Sequence, residues 1–436
     1  MTRHASVDST RRDFLKTTLA AGATLGGLAL SRSAHAAGSD VLRVGLIGCG
    51  GRGTGAAGNA LNADANAKIV ALCDLFPERV ESSLRGLTAQ YKERVDVPAE
   101  RCFTGFDGYK KLLQSDVDVV ILAEPPHFRP EHLKAAIDAG KHVFCEKPVA
   151  VDAPGVRSVL ATCELAAQKK LAVVSGLCWR YHNGVRETMK RVLDGEIGDL
   201  LAIQETYLTG VLWERPRQPQ WSEMEFQMRN WYYFTWLSGD FNVEQHIHSL
   251  DKALWANHDA PPARAWGLGG RQVRTEAKFG NIYDHHAVCY EYPSGLRVYS
   301  FCRQQAGCYS DVSDIFLGTK GRANILKHQI EGLDGKPTWK FKGDGGNMYD
   351  IEHQELFASI RAGKPINNGV YMARSTMLAI LGRMVDYTGK AITWDEAMAS
   401  KELLSPKEYT FQAAPPILPN KDGSYPISMP GQTPFV

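Results

Sequence analysis

Val41-Leu42-Arg43-Val44-Gly45-Leu46-Ile47-Gly48-Cys49-Gly50-Gly51-Arg52-Gly53 is the stretch from which the fold is read. Its first seven residues form a short apolar run, the pattern of a strand buried on both faces. The next six fit G-x-G-x-x-G, directly after that strand and before an Ala-rich helical stretch, Gly53 to Leu61. Gly48 makes the tight turn, Gly50 lets the backbone approach a pyrophosphate, and Gly53 allows the helix to pack closely on the strand. Gly51 and Arg52 complete the loop. Phosphates placed there meet the positive end of the helix. A second strand, Lys68 to Cys73, ends at Asp74. That is roughly 20 residues further on, where a carboxylate binds the ribose 2′-hydroxyl. A carboxylate at that point repels a 2′-phosphate, so NAD is the expected cofactor, ahead of NADP.

Outward from this unit, strands and helices alternate. Pro77 to Tyr91 reads as a helix, Val117 to Leu122 as a buried strand, Glu131 to Ala139 as a helix closed by Gly140, and His142 to Cys145 as the next strand. Such alternation implies right-handed βαβ units and a parallel, doubly wound sheet, expected over residues 41–165. Beyond Gly176 the pattern changes. Leu200 to Leu208, Ala287 to Tyr292, Leu296 to Arg303 and Asp314 to Leu317 read as strands with few helices between them, implying a mostly antiparallel sheet in a second domain, 166–400. Helical periodicity returns at Asn347 to Ala362 and Val370 to Tyr387, and residues 406–436 read as a proline-rich extended tail. The fold class expected is therefore α/β.

The 436 residues are 44% hydrophobic and 22% charged, with a formal net charge of +2. That balance implies no nucleic-acid partner, and no apolar run past residue 40 is long enough to span a bilayer. The nine cysteines are scattered, and Cys49, Cys73 and Cys145 sit in apolar runs, as buried thiols do. The N-terminus differs from the rest. Arg11-Arg12-Asp13-Phe14-Leu15-Lys16 precedes a small, apolar stretch from Thr17 to Leu30 and then Ala34-His35-Ala36. This order is that of a twin-arginine secretory signal over residues 1–36, so the mature chain is expected outside the cytoplasm, in the periplasm or beyond. A protein exported already folded has to bind a cytoplasmic nucleotide before it crosses, which implies tightly held NAD.

Gly140-Lys141-His142-Val143-Phe144-Cys145-Glu146-Lys147-Pro148 resembles the G-K-H-V-x-x-E-K-P segment of the Gfo/Idh/MocA oxidoreductases. Ala123-Glu124-Pro125-Pro126-His127 resembles that family's A-T-P-P-x loop, with Glu124 in place of threonine, and Gly318-Thr319-Lys320-Gly321 resembles a short turn found there. The resemblance runs from Val41 to Leu403. It implies a Rossmann domain followed by an α/β domain with a large open sheet that often joins subunits, hence a homo-oligomer, a dimer or a tetramer. It also implies oxidation or reduction of sugars, polyols or related alcohols, and it places Pro125, His127, Glu146 and Lys147 at the cofactor. Lys147 follows a parallel strand, beyond whose carboxyl end ligands bind, and its ammonium suits stabilisation of a reacting oxygen.

The resemblance extends to the proton partner. The family's D-x-G-x-H-x-x-D segment is matched by Glu244-Gln245-His246-Ile247-His248-Ser249-Leu250-Asp251. His248 takes the place of the catalytic histidine, a residue type that titrates where a general base is useful. Glu244 replaces Asp, and on one helix it shares a face with His248. His246 replaces glycine, which changes the pocket. His246 and Asp251 are candidate substrate contacts. Arg180 and Tyr181, in Trp179-Arg180-Tyr181-His182 after the strand Ala172 to Ser175, are the further candidates for a carbohydrate substrate, since aromatic faces suit the CH face of a sugar. The aromatic run Arg229 to Trp236 is read as core or cleft wall. Hydride chemistry needs no metal, and none is expected, although His246-x-His248 and Asp284-His285-His286 have ligand-like composition. Two alternatives stand beside the oxidoreductase: an NAD-dependent glycosidase working through transient oxidation, and a sugar- or nucleotide-binding protein without turnover.

Overall fold

The computed structural model describes residues 40–436, so the signal-like segment 1–36 lies outside the described residues. Six strands form the first sheet: β1 (Leu42–Ile47), β2 (Ala67–Asp74), β3 (Cys102–Thr104), β4 (Val119–Leu122), β5 (His142–Cys145) and β6 (Val173–Ser175). Their order is β3-β2-β1-β4-β5-β6 and every pairing is parallel. β4 and β6 are buried throughout, as the unbroken apolar runs require. The chain winds outward in both directions from the β1/β4 junction, and a crevice opens beyond the carboxyl ends of those two strands. β6 pairs with β5 although it lies past residue 165, so the parallel sheet is longer in sequence than expected. The glycine-loop helix starts at Gly51, two residues earlier than expected, because the loop itself supplies its first turn.

The second sheet contains β7 (Leu200–Thr209), β8 (Arg264–Gly270), β9 (His285–Glu291), β10 (Arg297–Gln304), β11 (Asp311–Gly318), β12 (Gly321–Asn324), β13 (Gln329–Gly332), β14 (Pro337–Lys340) and β15 (Ile392–Thr393), in the order β14-β13-β12-β11-β7-β10-β9-β8-β15. It is antiparallel except where β7 runs alongside β10. β8 escaped the sequence reading because its glycines hide the alternation of a strand. They are there for space: a Cβ on Gly267 would stand 2.3 Å from the Asp386 carboxylate. Along β10, Val298, Ser300 and Cys302 are buried while Tyr299 and Phe301 are exposed. The buried face of β8 and β9 is covered by the helix Gly369–Thr388, which is enclosed nearly all round and ends at Gly389 in the left-handed conformation, while Ser300 and Cys302 of β10 meet His246 and Asn242.

Residues 406–436 contain no helix or strand, yet they are docked. Phe411 stacks on Phe76 at 5.9 Å, Tyr425 is 5% exposed, and the Tyr283 hydroxyl donates to the Ser428 carbonyl at 2.7 Å. Proline removes backbone donors, so side chains supply much of the docking, joined by a few backbone bonds such as Gly431 N–H to the Thr388 carbonyl at 2.9 Å.

Candidate active site

A cleft of about 440 Å³ opens over the glycine loop, lined by Gly48, Gly50, Asp74, Phe76, Pro125 and Trp231 among others. Backbone geometry explains the loop. Gly48 has φ +96°, and a Cβ there would meet the Glu124 backbone nitrogen at 2.4 Å. A Cβ on Gly53 would meet the Gly48 carbonyl oxygen at 1.7 Å. Gly50 caps the helix Gly51–Ala63 without a side-chain bond, so the first-turn N–H groups are left for a ligand. Asp74 accepts from the Cys49 N–H at 2.7 Å and the Phe76 N–H at 3.0 Å, which aims its carboxylate along the cleft wall; burial raises its pKa. These features fit a dinucleotide, with its pyrophosphate over Gly48, Gly50, Gly51 and Gly53 and a ribose at Asp74. Cys49, Cys73 and Cys145 are buried, and burial pushes their thiol pKa values up.

Arg52 leaves the loop toward the helix Met348–Arg361, pairing with Glu146 and reaching Glu352 at 3.4 Å while lying over the Tyr349 ring. Glu352, 300 residues away in sequence, is fully buried and carries no local signal of this role. Glu146 also accepts the Lys147 N–H at 3.2 Å. Pro125 lines the cleft, whereas His127 does not. Its Nε2 is 2.7 Å from the Tyr409 hydroxyl and its ring packs edge-on to Trp236, so the tail holds it in place. Burial lowers its pKa to about 3.

Beyond β5, Lys147 Nζ donates to the Glu244 carbonyl at 2.5 Å and to its carboxylate at 2.9 Å. Glu244 ends the short helix Phe241–Glu244, and His248 lies in the first turn of the next, Ile247–Ala256. The single helix expected to carry both is thus broken at Gln245 and His246; Lys147 bonds Glu244, and its charge bears on His248. Burial, and then the charges of Lys147, Lys252 and Arg52, hold His248 neutral, well below its usual range. Its Nδ1 has no hydrogen-bond partner among the described residues. Lys252 Nζ donates to the His248 carbonyl at 2.5 Å and pairs with Asp314 at 3.0 Å, anchoring the turn from beneath. Gln304, another residue without a sequence signal, ties Gln245 to Tyr232 with two 2.7 Å bonds.

The other substrate candidates sit deeper. Arg180 forks onto Asp251 at 2.8 to 3.0 Å, reaches Asp259 at 2.6 Å, and lies 3.9 Å from the Tyr371 ring centre. Asp251 is 1% exposed, so this is a buried ion pair rather than a free pair of substrate ligands. The Tyr181 hydroxyl donates to Asn368 at 2.9 Å and its ring is buried. His246 is fully buried, with Nε2 2.7 Å from the Ser300 hydroxyl. Of the aromatic run, Trp231 reaches the cleft, while Tyr233, Phe234 and Trp236 are core. His286 lies between Asp240 and Asp386 at 3.4 and 2.8 Å, while the His246 ring is committed to Ser300. Among the described residues, no group of three His, Cys, Asp or Glu side chains converges as metal ligands do.

Comparison with known proteins agrees with this geometry. Residues 42–176 match the sequence model of the GFO/IDH/MocA oxidoreductase family, NAD-binding Rossmann fold. The chain is 25% identical to inositol 2-dehydrogenase of Salmonella typhimurium over 337 residues, 74% of this chain and 87% of that enzyme. It is 31% identical to a glycosyl hydrolase family 109 protein of Shewanella amazonensis over 221 residues, 47% of each. The crystal structure of scyllo-inositol dehydrogenase from Lactobacillus casei, with bound NAD(H) and scyllo-inositol, superposes with a TM-score of 0.62 at 19% identity, covering 81% of this chain and 99% of that one, which shows a shared fold. Residues 42–176 are thus similar to the NAD-binding Rossmann fold of the GFO/IDH/MocA oxidoreductases.

Proposed function

We propose that this protein is an NAD-dependent oxidoreductase acting on a hydroxyl group of a sugar, glycoside or polyol. The observation that carries the reading is the Lys147–Glu244 ion pair beyond β5, whose ammonium, with the Arg52 guanidinium of the glycine loop, bears electrostatically on a neutral His248. NAD, held by Gly48, Gly50, Gly51, Gly53 and Asp74, would supply the hydride acceptor for the alcohol carbon. The chain's residues manage the proton and the charge. A neutral imidazole at His248 accepts the hydroxyl proton, and the Lys147 ammonium stabilises the oxygen as it becomes carbonyl. Glu244 holds that ammonium in position. Asp74 favours NAD over NADP, as a carboxylate at the ribose does.

Export by the twin-arginine route, read from residues 1–36, implies a nucleotide held tightly and recycled in place. The exposed Trp266, Leu268, Tyr299 and Phe301 on the open sheet support a homo-oligomer joined through that face. A second reading, an NAD-dependent glycosidase, is favoured by the similarity to glycosyl hydrolase family 109 proteins. The test is to follow the absorbance of bound nicotinamide while sugars, polyols and glycosides are added. Reduction matched by a stoichiometric oxidised product supports the oxidoreductase. Release of a free sugar with no net reduction supports the glycosidase. No spectral change and no product with any compound sinks both.

A further inference from the structure

Three arginines gather beside the glycine loop, and two of them have no counter-charge bonded to them among the described residues. Arg229 is committed: it bonds Glu78 at 2.6 Å and Glu225 at 2.9 Å and lies 3.9 Å from the Phe76 ring centre. Arg79 and Arg215 differ. Neither guanidinium donates a hydrogen bond to a carboxylate among the described residues. Both line the cleft, and both also line an adjoining polar hollow with Thr54, Ser82 and Ser83. Arg79 belongs to the nucleotide domain, in the first turn of the helix Pro77–Tyr91, and its Nη1 lies 3.2 Å from where a Cβ on Gly50 would stand. Its charge therefore sits over the loop.

Arg215 arrives from the other domain. It belongs to residues 210–222, an irregular segment between β7 and the helix Glu223–Arg229. Irregular does not mean unanchored. The Arg215 N–H donates to Asn230 Oδ1 at 2.8 Å, and Asn230 Nδ2 donates to the Arg215 carbonyl at 3.1 Å. Asn230 is fully buried. An exposed arginine is thus carried on a backbone pinned from both sides by a buried amide, with Trp213 beside its guanidinium. Burial and the neighbouring charges of Arg79 and Arg229 weaken Arg215's hold on its proton. Like charges held together repel, and a dianion set between them turns that repulsion into attraction.

We infer that Arg79 and Arg215 clasp the pyrophosphate of the bound dinucleotide from two sides, Arg79 from the nucleotide domain and Arg215 from the second domain. The inference rests on the proposed NAD dependence and extends it. The helix N-terminus and the glycine loop make the floor, and Arg215 makes the roof. Release of the nucleotide then requires the 210–222 segment to withdraw, which accounts physically for a cofactor kept through many turnovers.

The experiment uses the full mature protein stripped of nucleotide. Binding of NAD, ADP-ribose, NADP and adenosine is measured by calorimetry, and NAD release by stopped-flow fluorescence, in the wild type, R215A, R215K and R79A. R215A is expected to weaken NAD and ADP-ribose about tenfold or more, the scale of one lost charge-assisted contact, and to speed NAD release, with adenosine unchanged. R215K should recover part of the loss and R79A should resemble R215A. Unchanged melting temperature without nucleotide shows that the variants are folded. NAD affinity equal to wild type in R215A overturns the clasp alone. Loss confined to NADP also overturns it, assigning Arg215 to a 2′-phosphate. A wild type that binds neither NAD nor ADP-ribose overturns the NAD reading and the clasp with it.

Discussion

Lys147 reaches from the end of the parallel sheet to Glu244, the last residue of the helix Phe241–Glu244, and bonds both its carbonyl and its carboxylate, at 2.5 and 2.9 Å. One ammonium thereby ties the end of the parallel sheet to the turn before His248, where the proposed reaction would take place. An ammonium so held presents its remaining N–H in a set direction, which is what stabilisation of a developing negative charge requires. The same pair fixes the turn that presents His248.

Lys147→Ala and His248→Ala are each expected to lower kcat at least a hundredfold, the usual scale for lost general acid–base help, while NAD affinity changes less than about threefold. Steady-state kinetics beside calorimetry check this. Full activity in either variant removes that residue from the reaction centre.

Glu244→Gln keeps a carbonyl oxygen for Lys147 and removes the charge. We expect a fall in kcat with KM nearly constant and folding intact, because the carboxylate positions the ammonium rather than binding substrate. A large rise in KM at constant kcat would point instead to direct substrate contact.

Arg180→Met should act on stability. It leaves Asp251, 1% exposed, without its ion pair. A loss of about 3 kcal/mol or more by chemical denaturation is the expected result. A variant of normal stability with a raised KM would return Arg180 to the substrate.

Gly53→Ala places a Cβ 1.7 Å from the Gly48 carbonyl oxygen, so loop and helix have to part. NAD binding should be lost even in folded protein. Intact NAD affinity measured by calorimetry would contradict the loop assignment.

Stability should pass through a maximum near pH 6.5 to 7. Burial lowers the pKa values of His127, His246 and His353 to about 3, and that of His248 falls well below normal. These groups stay neutral in the fold but take protons in the unfolded chain below about pH 6.5, so stability is lost as pH falls, by roughly 1 kcal/mol per pH unit for each. His286 has the opposite sign. It is buried, which lowers its pKa, but Asp240 and Asp386 outweigh that and raise it to about 9. Its contribution is complete below about pH 6.5 and fades as pH rises toward 9. Urea melts from pH 5 to 9 test the shape, and a flat profile would contradict it.

Local patterns carried the nucleotide half of this protein. Val41 to Gly53 and Asp74 are close in sequence, and a glycine at a position where a Cβ would strike backbone is legible because no other residue fits. The parallel strands were legible as apolar runs, and Lys147 as a residue following one of them. The rest was settled by contacts between residues far apart in the chain. The Lys147–Glu244 pair spans 97 residues, the Arg52–Glu352 contact 300, and the tail's Tyr409 meets His127 across 282. A sequence shows that Arg180 and Asp251 carry opposite charges; only the fold shows that they neutralise each other in the core. It also breaks the helix expected through Glu244 and His248, because a buried turn held by Lys147, Gln304 and Lys252 overrides helical spacing.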